Sequence, residues 1–539
     1  MPRLGLERSP FRDLIPIVEG CVVSYCPIAS AIGTRVLLDG GNAVDATVAT
    51  ALALAATYPQ AGNLAGGGFM MIKPPHGPGH LLDYRESAPR LADPVMFAAA
   101  KERSVRGGCA VAVPGTVAGL SDAVKRFGTW SWDRLCAPAI DLAELGTWVT
   151  NRQARYLALY HKDLASFPET AKALLPAEGM WRPGDLFRNP DLGKTLRILA
   201  EQGPDAFYQG SIAEAVTSTV QRYGGVMDLE DLSKYRTVWR KPYQRRIFGH
   251  DIMTTPLPSG GGFIVILSLA LLEAAGCADL PVRSAARYEL LGRAFRIAYA
   301  LRAEFAGDPS IVPAPMLARC EELISAVYDA GSIEKFEREL GLVGERPVIE
   351  PYPPRNTTHM CAIDNTGMAV SNTYSLNTLF GSKLVAAGTG VLLNNTIDDF
   401  GILPDVPNWY QLFEGKYNTL APGLRPLGSM APTIVSNGDV TELAIGGSGG
   451  PRIPTAIAQT ILGMYGNGLA LSQAAALPRV HHQYRPTQLD VEDSLDASHQ
   501  EALERLGYDV VQFPRLGILA AAHYDVNAKT LKALLDPRF

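Results

Sequence analysis

Thr357, Thr358 and His359 follow directly on a strap, residues 345–356, that holds four prolines in twelve residues. Proline fixes φ and removes a backbone donor, so this strap is expected to be extended and accessible. A hydroxyl at its end is a candidate nucleophile, although a threonine at the start of a strand is also what β-branched residues favour by themselves. Gly446-Gly447-Ser448-Gly449-Gly450-Pro451 is the second candidate feature. It lies between an expected strand and an expected helix, where backbone N–H groups point outward; a plain strand-to-helix turn uses the same residues. Two other breaks, Val113-Pro114-Gly115 and Ser259-Gly260-Gly261-Gly262, lack the Lys-Ser/Thr and the spacing of phosphate loops and read as packing turns. His481 and His482 diverge as neighbours and read as structural. With no His/Cys cluster at zinc spacing, neither metal nor cofactor is expected.

The totals exclude several classes. A 539-residue chain suggests about three domains by length, yet layered α/β enzymes of this size fold as one unit. Apolar residues make up 47% and charged residues 19%, so a large buried core is expected. A net charge of −5, with no run of Lys or Arg, favours neither nucleic acid nor an anionic membrane. Seven scattered cysteines are a poor match to a secreted disulfide framework. Met1 to Val18 is charged and lacks an apolar core, and Phe263 to Leu272 is too short to span a bilayer. A cytoplasmic protein is expected.

The positioning elements are legible in places. Pro27 to about Asp39 reads as a helix ended by Gly40-Gly41, with Asn42 as N-cap and Asp45 in the first turn of a second, wholly apolar helix to Ala56. Gly66-Gly67-Gly68 leads into a buried strand at Phe69 to Ile72. Residues 110 to 340 read as mostly helical. Thr358 to Asp364 and Met368 to Ser375 read as strands around a turn at Asn365-Thr366-Gly367, with further strands at Gly390 to Asn394 and Glu442 to Gly446.

Several blocks carry a resemblance. Asn356-Thr357-Thr358-His359, Asn372 to Asn377, Phe380-Gly381-Ser382, Asn394-Asn395 with Asp398-Asp399-Phe400, and Met430 to Thr433 resemble the core of the γ-glutamyltransferase (γ-glutamyltranspeptidase) family. Gly40 to Ala46, Gly66 to Phe69 and Asp83 to Pro89 agree in the same order, over roughly residues 27 to 490. The resemblance implies an α+β fold, the four-layer αββα N-terminal-nucleophile hydrolase sandwich of two antiparallel sheets between helical layers. It also implies a precursor that cuts itself between Asn356 and Thr357. A large subunit, 1–356, and a small one, 357–539, then stay together as one intertwined domain.

Elementary chemistry supports such a cut. A threonine hydroxyl needs an adjacent base, and scission frees an α-amine of reference pKa near 8 on the same residue. Before scission that nitrogen is an amide and accepts no proton, so the uncut chain should be inactive. By resemblance, Gly449 and Gly450 form the oxyanion hole, Arg85 clamps the glutamyl α-carboxylate, and Asp399 meets the α-ammonium. Ser375, Asn377 and Ser429 are implied as further substrate contacts, and Tyr410, in a lid loop from Pro404 to Tyr417, as closing over Asn377. Two departures bear on the acyl group: Thr396 stands where an acid or amide is usual, and Gly428-Ser429 where two serines are usual. The partners expected are a small-molecule amide and a water or amine acceptor. The alternatives are the same mechanism on an oxamate-like monoamide or a glutaryl/cephalosporin-type side chain, or a silent binding protein on the same scaffold.

Overall fold

A computed structural model describes residues 20–98, 100–342, 357–403 and 406–539. The strap and Asn356 therefore lie outside the described residues. Helix α1 (Pro27–Leu38) ends at Gly40, whose φ of +88° suits glycine. Helix α2 (Ala43–Thr57) then starts from a reciprocal cap: Asn42 Oδ1 accepts from Val44 N–H (2.9 Å) and Asp45 N–H (3.0 Å), and Asp45 Oδ2 accepts from Asn42 N–H (3.0 Å). All of α2 is buried, as its apolar circumference predicts.

Twelve strands form two six-stranded sheets. In chain order they are β1 (Gly20–Ser24), β2 (Gly67–Lys73), β3 (His80–Asp83), β4 (Val238–Arg240), β5 (Tyr243–Ile247), β6 (His250–Thr254), β7 (Thr358–Asp364), β8 (Ala369–Ser375), β9 (Thr433–Asn437), β10 (Val440–Ser448), β11 (Ile518–Asp525) and β12 (Thr530–Leu535). The first sheet runs β1-β7-β8-β2-β3-β4 and the second β12-β11-β10-β9-β6-β5, every pairing antiparallel. Helices α1 and α2, with α3 (Thr116–Phe127) and α4 (Trp132–Leu145), cover the first sheet. Helices α5 (Gly260–Ala274), α6 (Ala285–Phe305) and α7 (Arg452–Ile461) lie on the side of the second. This is the expected αββα sandwich.

Strand periodicity separates two cores. In β10, Ala444 joins the core shared with the first sheet, whereas Leu443 and Ile445 join the core beneath α5 to α7. Gly446 is a glycine for space: a Cβ there would meet the His359 ring of the facing sheet. The turn between β7 and β8 falls where expected, with Gly367 at φ +88°.

Three expectations are corrected. The helical stretch 110–340 also contains β4, β5 and β6. Gly390 to Asn394 is no strand but a loop with isolated bridges, because the Asn394 side chain does the pairing: Nδ2 donates to Ala65 O (3.0 Å) and Ala112 O (2.8 Å), and Oδ1 accepts from Ala112 N–H (2.9 Å). The glycines after Ser259 are the first turn of α5 rather than a loop, with Ser259 as N-cap. Among the described residues, no helix is long and apolar enough to cross a membrane.

Candidate active site

Pairing brings Thr357 to the mouth of the sandwich. It precedes β7, whose Thr358 and His359 face Tyr374 and Thr373 of β8, so Thr357 lies level with Ser375. Ser375 Oγ accepts from Asn377 N–H (2.9 Å), which turns the chain into a loop where Asn377 holds φ +76°. Thr357 is 4% exposed. His359 is no base for its hydroxyl, since both ring nitrogens are engaged, with Thr373 Oγ1 (2.8 Å) and Cys361 Sγ (2.9 Å). Burial also holds the ring neutral, at a pKa of about 3.

Thr357, Arg85, Ser375, Asn377, Asp399, Tyr410, Ser429 and Gly450 line one cavity. Gly449 precedes Gly450 where β10 hands over to α7, at φ +136° and +58° respectively. The expected site residues thus converge from both sheets and from the loop 376–432. Only Asn356 is outside the described residues.

Arg85 is 1% exposed and ties these parts together. Its Nη2 donates to Asp399 Oδ2, its Nη1 lies 3.4 Å from Glu86 Oε2, and its Nε donates to Pro426 O (3.3 Å). The two charges expected to read a substrate's carboxylate and ammonium therefore pair with each other, and the neighbouring Glu86 is a second, longer partner. Burial pushes Asp399 up to about 7 against the pull of Arg85, and raises Glu86 as well. Behind Arg85, the fully buried Asp83 binds Arg240 (2.7 Å) and Arg425 (2.6 Å) and accepts from Arg85 N–H (2.9 Å). The space open to water in this cavity is about 30 Å³, roughly one molecule.

The departures have a geometry. Thr396 Oγ1 donates to Glu86 Oε1 (2.8 Å), so its hydroxyl is engaged there. A Cβ at Gly428 would lie 3.7 Å from the Arg85 guanidinium, so the missing side chain leaves room at that group. The loop carrying Gly428 and Ser429 rests on the start of α5: Gly260 N–H donates to Gly428 O (2.9 Å), and a Cβ at Gly261 would come within 2.5 Å of Ser429 O. The glycine run is therefore a support for the loop carrying Gly428 and Ser429.

Tyr410 closes the cavity, its hydroxyl donating to Asn377 O (2.8 Å) while its ring occupies the space a Cβ on Gly450 would need. Its anchors were not foreseen. Asn408 Oδ1 accepts from Tyr410 N–H (2.9 Å) and Leu412 N–H (3.1 Å). The side chains of Arg302 and Glu414, both buried, pair through Arg302 Nη2, which donates to both carboxylate oxygens (2.9 and 3.1 Å), and Asn418 Nδ2 donates both to Glu414 (2.9 Å) and to Asp399 O (2.7 Å). The adjacent Asp398 accepts from Ser104 Oγ (2.7 Å) and Trp409 N–H (2.8 Å). An asparagine before two aromatics is an Asx-turn signal that reading the loop for turns could have found. Nothing in sequence links Arg302 to Glu414.

His481 and His482 are buried structural residues; His481 Nδ1 meets Thr455 Oγ1 at 3.0 Å. Among the described residues no group of His, Cys, Asp or Glu could hold a metal ion.

Comparison with known proteins places the family and the fold. The family profile described as Gamma-glutamyltranspeptidase matches residues 29–539. The "Glutathione hydrolase proenzyme" of Escherichia coli (strain K12) is 37% identical over 521 residues, covering 95% of this chain and 89% of that protein. That of Pseudomonas aeruginosa is 36% identical, covering 96% and 93%. Among solved structures, Helicobacter pylori γ-glutamyltranspeptidase is 34% identical, with a TM-score of 0.57 over 63% of this chain and 95% of that one. A cephalosporin acylase from Bacillus halodurans superposes with a TM-score of 0.86 over 100% of this chain and 97% of that one at 24% identity, a likeness of fold. By sequence and by fold, the chain belongs to the γ-glutamyltranspeptidase family of enzymes that act on amide bonds.

Proposed function

We propose that the chain cuts itself before Thr357 and then hydrolyses or transfers γ-glutamyl groups from glutathione-like amides. The Thr357 hydroxyl attacks the amide carbonyl while its own α-amine takes the hydroxyl proton and passes it to the leaving amine. The N–H groups of Gly449 and Gly450 hold the oxyanion. Water or an amine then attacks the acyl-enzyme and releases Thr357. Arg85 takes the substrate α-carboxylate, Asp399 the α-ammonium, and Ser375, Asn377 and Ser429 the remaining polar edges, with Tyr410 as the lid. The reading is carried by one observation: Thr357 shares a cavity with a buried, oppositely charged Arg85–Asp399 pair, which matches an amino-acid zwitterion. Mass spectrometry of the purified protein tests it, with fragments 1–356 and 357–539 and turnover of a γ-glutamyl anilide expected. A chain that stays intact under all conditions refutes it. Cytoplasmic action belongs to the same reading, supported by seven cysteines that are all free and buried, and cell fractionation tests it.

A second reading keeps the mechanism and changes the acyl group to an oxamate-like or glutaryl type. It is favoured by the engaged Thr396 hydroxyl and by the space at Gly428 beside Arg85. Sites that hydrogen-bond a polar substrate group discriminate strongly, so lost contacts relax that choice. Profiling glutamyl, oxamate and glutaryl amides, with Thr357→Ala as blank, separates the two.

A further inference from the structure

We propose that Lys383 is a positioning residue for the acyl-binding loop, its ammonium stapling the turn that sets Asn377 beneath Tyr410. The loop 376–383 is built on unusual backbone: Asn377, Phe380 and Lys383 hold φ of +76°, +59° and +68°, and Gly381 holds +50°. Side chains disfavour this region, so such a turn persists only when its surroundings over-determine it. Lys383 supplies that determination. Its Nζ, in a residue 4% exposed, donates to Leu379 O (2.7 Å), Gly381 O (2.6 Å) and Thr378 Oγ1 (3.1 Å). At the other end of the loop, Asn377 O receives the Tyr410 hydroxyl, and Asn377 Nδ2 donates to Asn395 O (3.1 Å). The staple and the lid latch are thus two ends of one seven-residue segment.

A buried ammonium with neutral acceptors is costly, because no carboxylate bonds it directly to offset its lost hydration. The charged and titratable groups facing it are Tyr160, whose ring centroid is 5.2 Å away, and the Asp163–Arg106 pair, joined to each other at 3.0 Å. Thr170, on the helix Pro168–Leu174, holds the backbone on either side by donating to Lys383 O (2.8 Å) and accepting from Val385 N–H (2.9 Å). Burial draws the ammonium down to about 7, with Asp163 resisting and Arg106 adding to the effect. An ammonium has three donors, one for each acceptor; a neutral amine has two. Losing the proton loosens the staple, because the Thr378 hydroxyl is then held only through its own bonds to Gly381 O (3.4 Å) and Asn395 Oδ1 (3.2 Å).

This inference rests on the proposed function only for its kinetic readout. In wild type, kcat/KM for a γ-glutamyl anilide is expected to fall along an alkaline limb. K383R, which stays charged, moves that limb upward by more than one pH unit. K383M removes the limb and raises KM about tenfold with kcat within about twofold, the pattern of lost uniform binding. Hydrogen exchange of residues 376–383 needs no substrate. Corrected for intrinsic exchange, K383M is expected to raise it at pH 6, where the ammonium is charged, and wild type to approach that level above pH 8. A wild type inert toward the anilide but showing this exchange pattern sinks the glutamyl reading and keeps the staple. A folded K383M with wild-type exchange overturns the staple. Should K383M not accumulate, K383R decides, and an unmoved limb together with unmoved pH-dependent exchange overturns it.

Discussion

Replacing Asp399 by asparagine keeps shape and one hydrogen-bond acceptor while removing the charge expected to meet the substrate ammonium. Two opposite charges about 4 Å apart attract by about 4 kcal/mol at an effective dielectric near 20. A neutral hydrogen bond from asparagine returns about 1 kcal/mol of that. The net loss is about 3 kcal/mol, or roughly a hundredfold in kcat/KM. The assay compares γ-glutamyl anilide with glutaryl anilide, which lacks the ammonium, at pH 8, above the Asp399 pKa of about 7. The glutamyl substrate should fall roughly a hundredfold and the glutaryl one by less than about threefold. Arg85 retains Glu86 at 3.4 Å and Pro426 O at 3.3 Å, so the stability cost should lie near the low end, about 3 kcal/mol, of that for breaking a buried pair. Equal losses on both substrates refute the reasoning, because Asp399 would then act through Arg85 or the fold and not on the ammonium.

Gly450→Ala adds a Cβ 2.8 Å from the Tyr410 ring at φ +58°, and kcat is expected to drop by about 10²–10³, as when an oxyanion donor is displaced; steady-state kinetics with a melting curve as control would check it. Tyr410→Phe leaves Asn377 O without its 2.8 Å donor, and KM should rise about fivefold at nearly constant kcat, about 1 kcal/mol of binding. Stability against pH tests the charge state of Asp399. Burial raises its folded pKa from the ordinary 3.8, so its contribution is present below pH ~4 and lost as pH rises through about 7. The gap in melting temperature between wild type and Asp399→Asn should therefore narrow from pH 5 to 8. A widening gap would mean that Arg85 outweighs burial.

Legibility followed the reach of each interaction. The cap of α2 is written in Asn42 and Asp45, three residues apart, and the β7–β8 hairpin in alternation around Gly367. Both rest on contacts close in sequence. The loop 376–432 has no period because side-chain amides from Asn394, Asn395, Asn408 and Asn418 replace a ladder, and such bonds leave no spacing to read. The strand misread at Gly390 to Asn394 is the clearest case. Arg85 and Asp399, 314 residues apart, were placed by resemblance; their mutual pairing only the fold could reveal. Strands β4 and β5 went unseen because they are short and partly exposed amid helices, and β6 because only three of its five residues are buried.

The strand order also fixes what the proposed scission does to folding. In the first sheet β7 and β8 lie between β1 and β2, and in the second β9 abuts β6, so residues before and after position 357 share both sheets. Neither half can satisfy its strand edges by itself. After the cut, unfolding stays a first-order event, but its reversal becomes a meeting of two molecules, with a yield that depends on concentration. The mature protein then owes its lifetime to the height of the barrier to opening rather than to a reversible equilibrium.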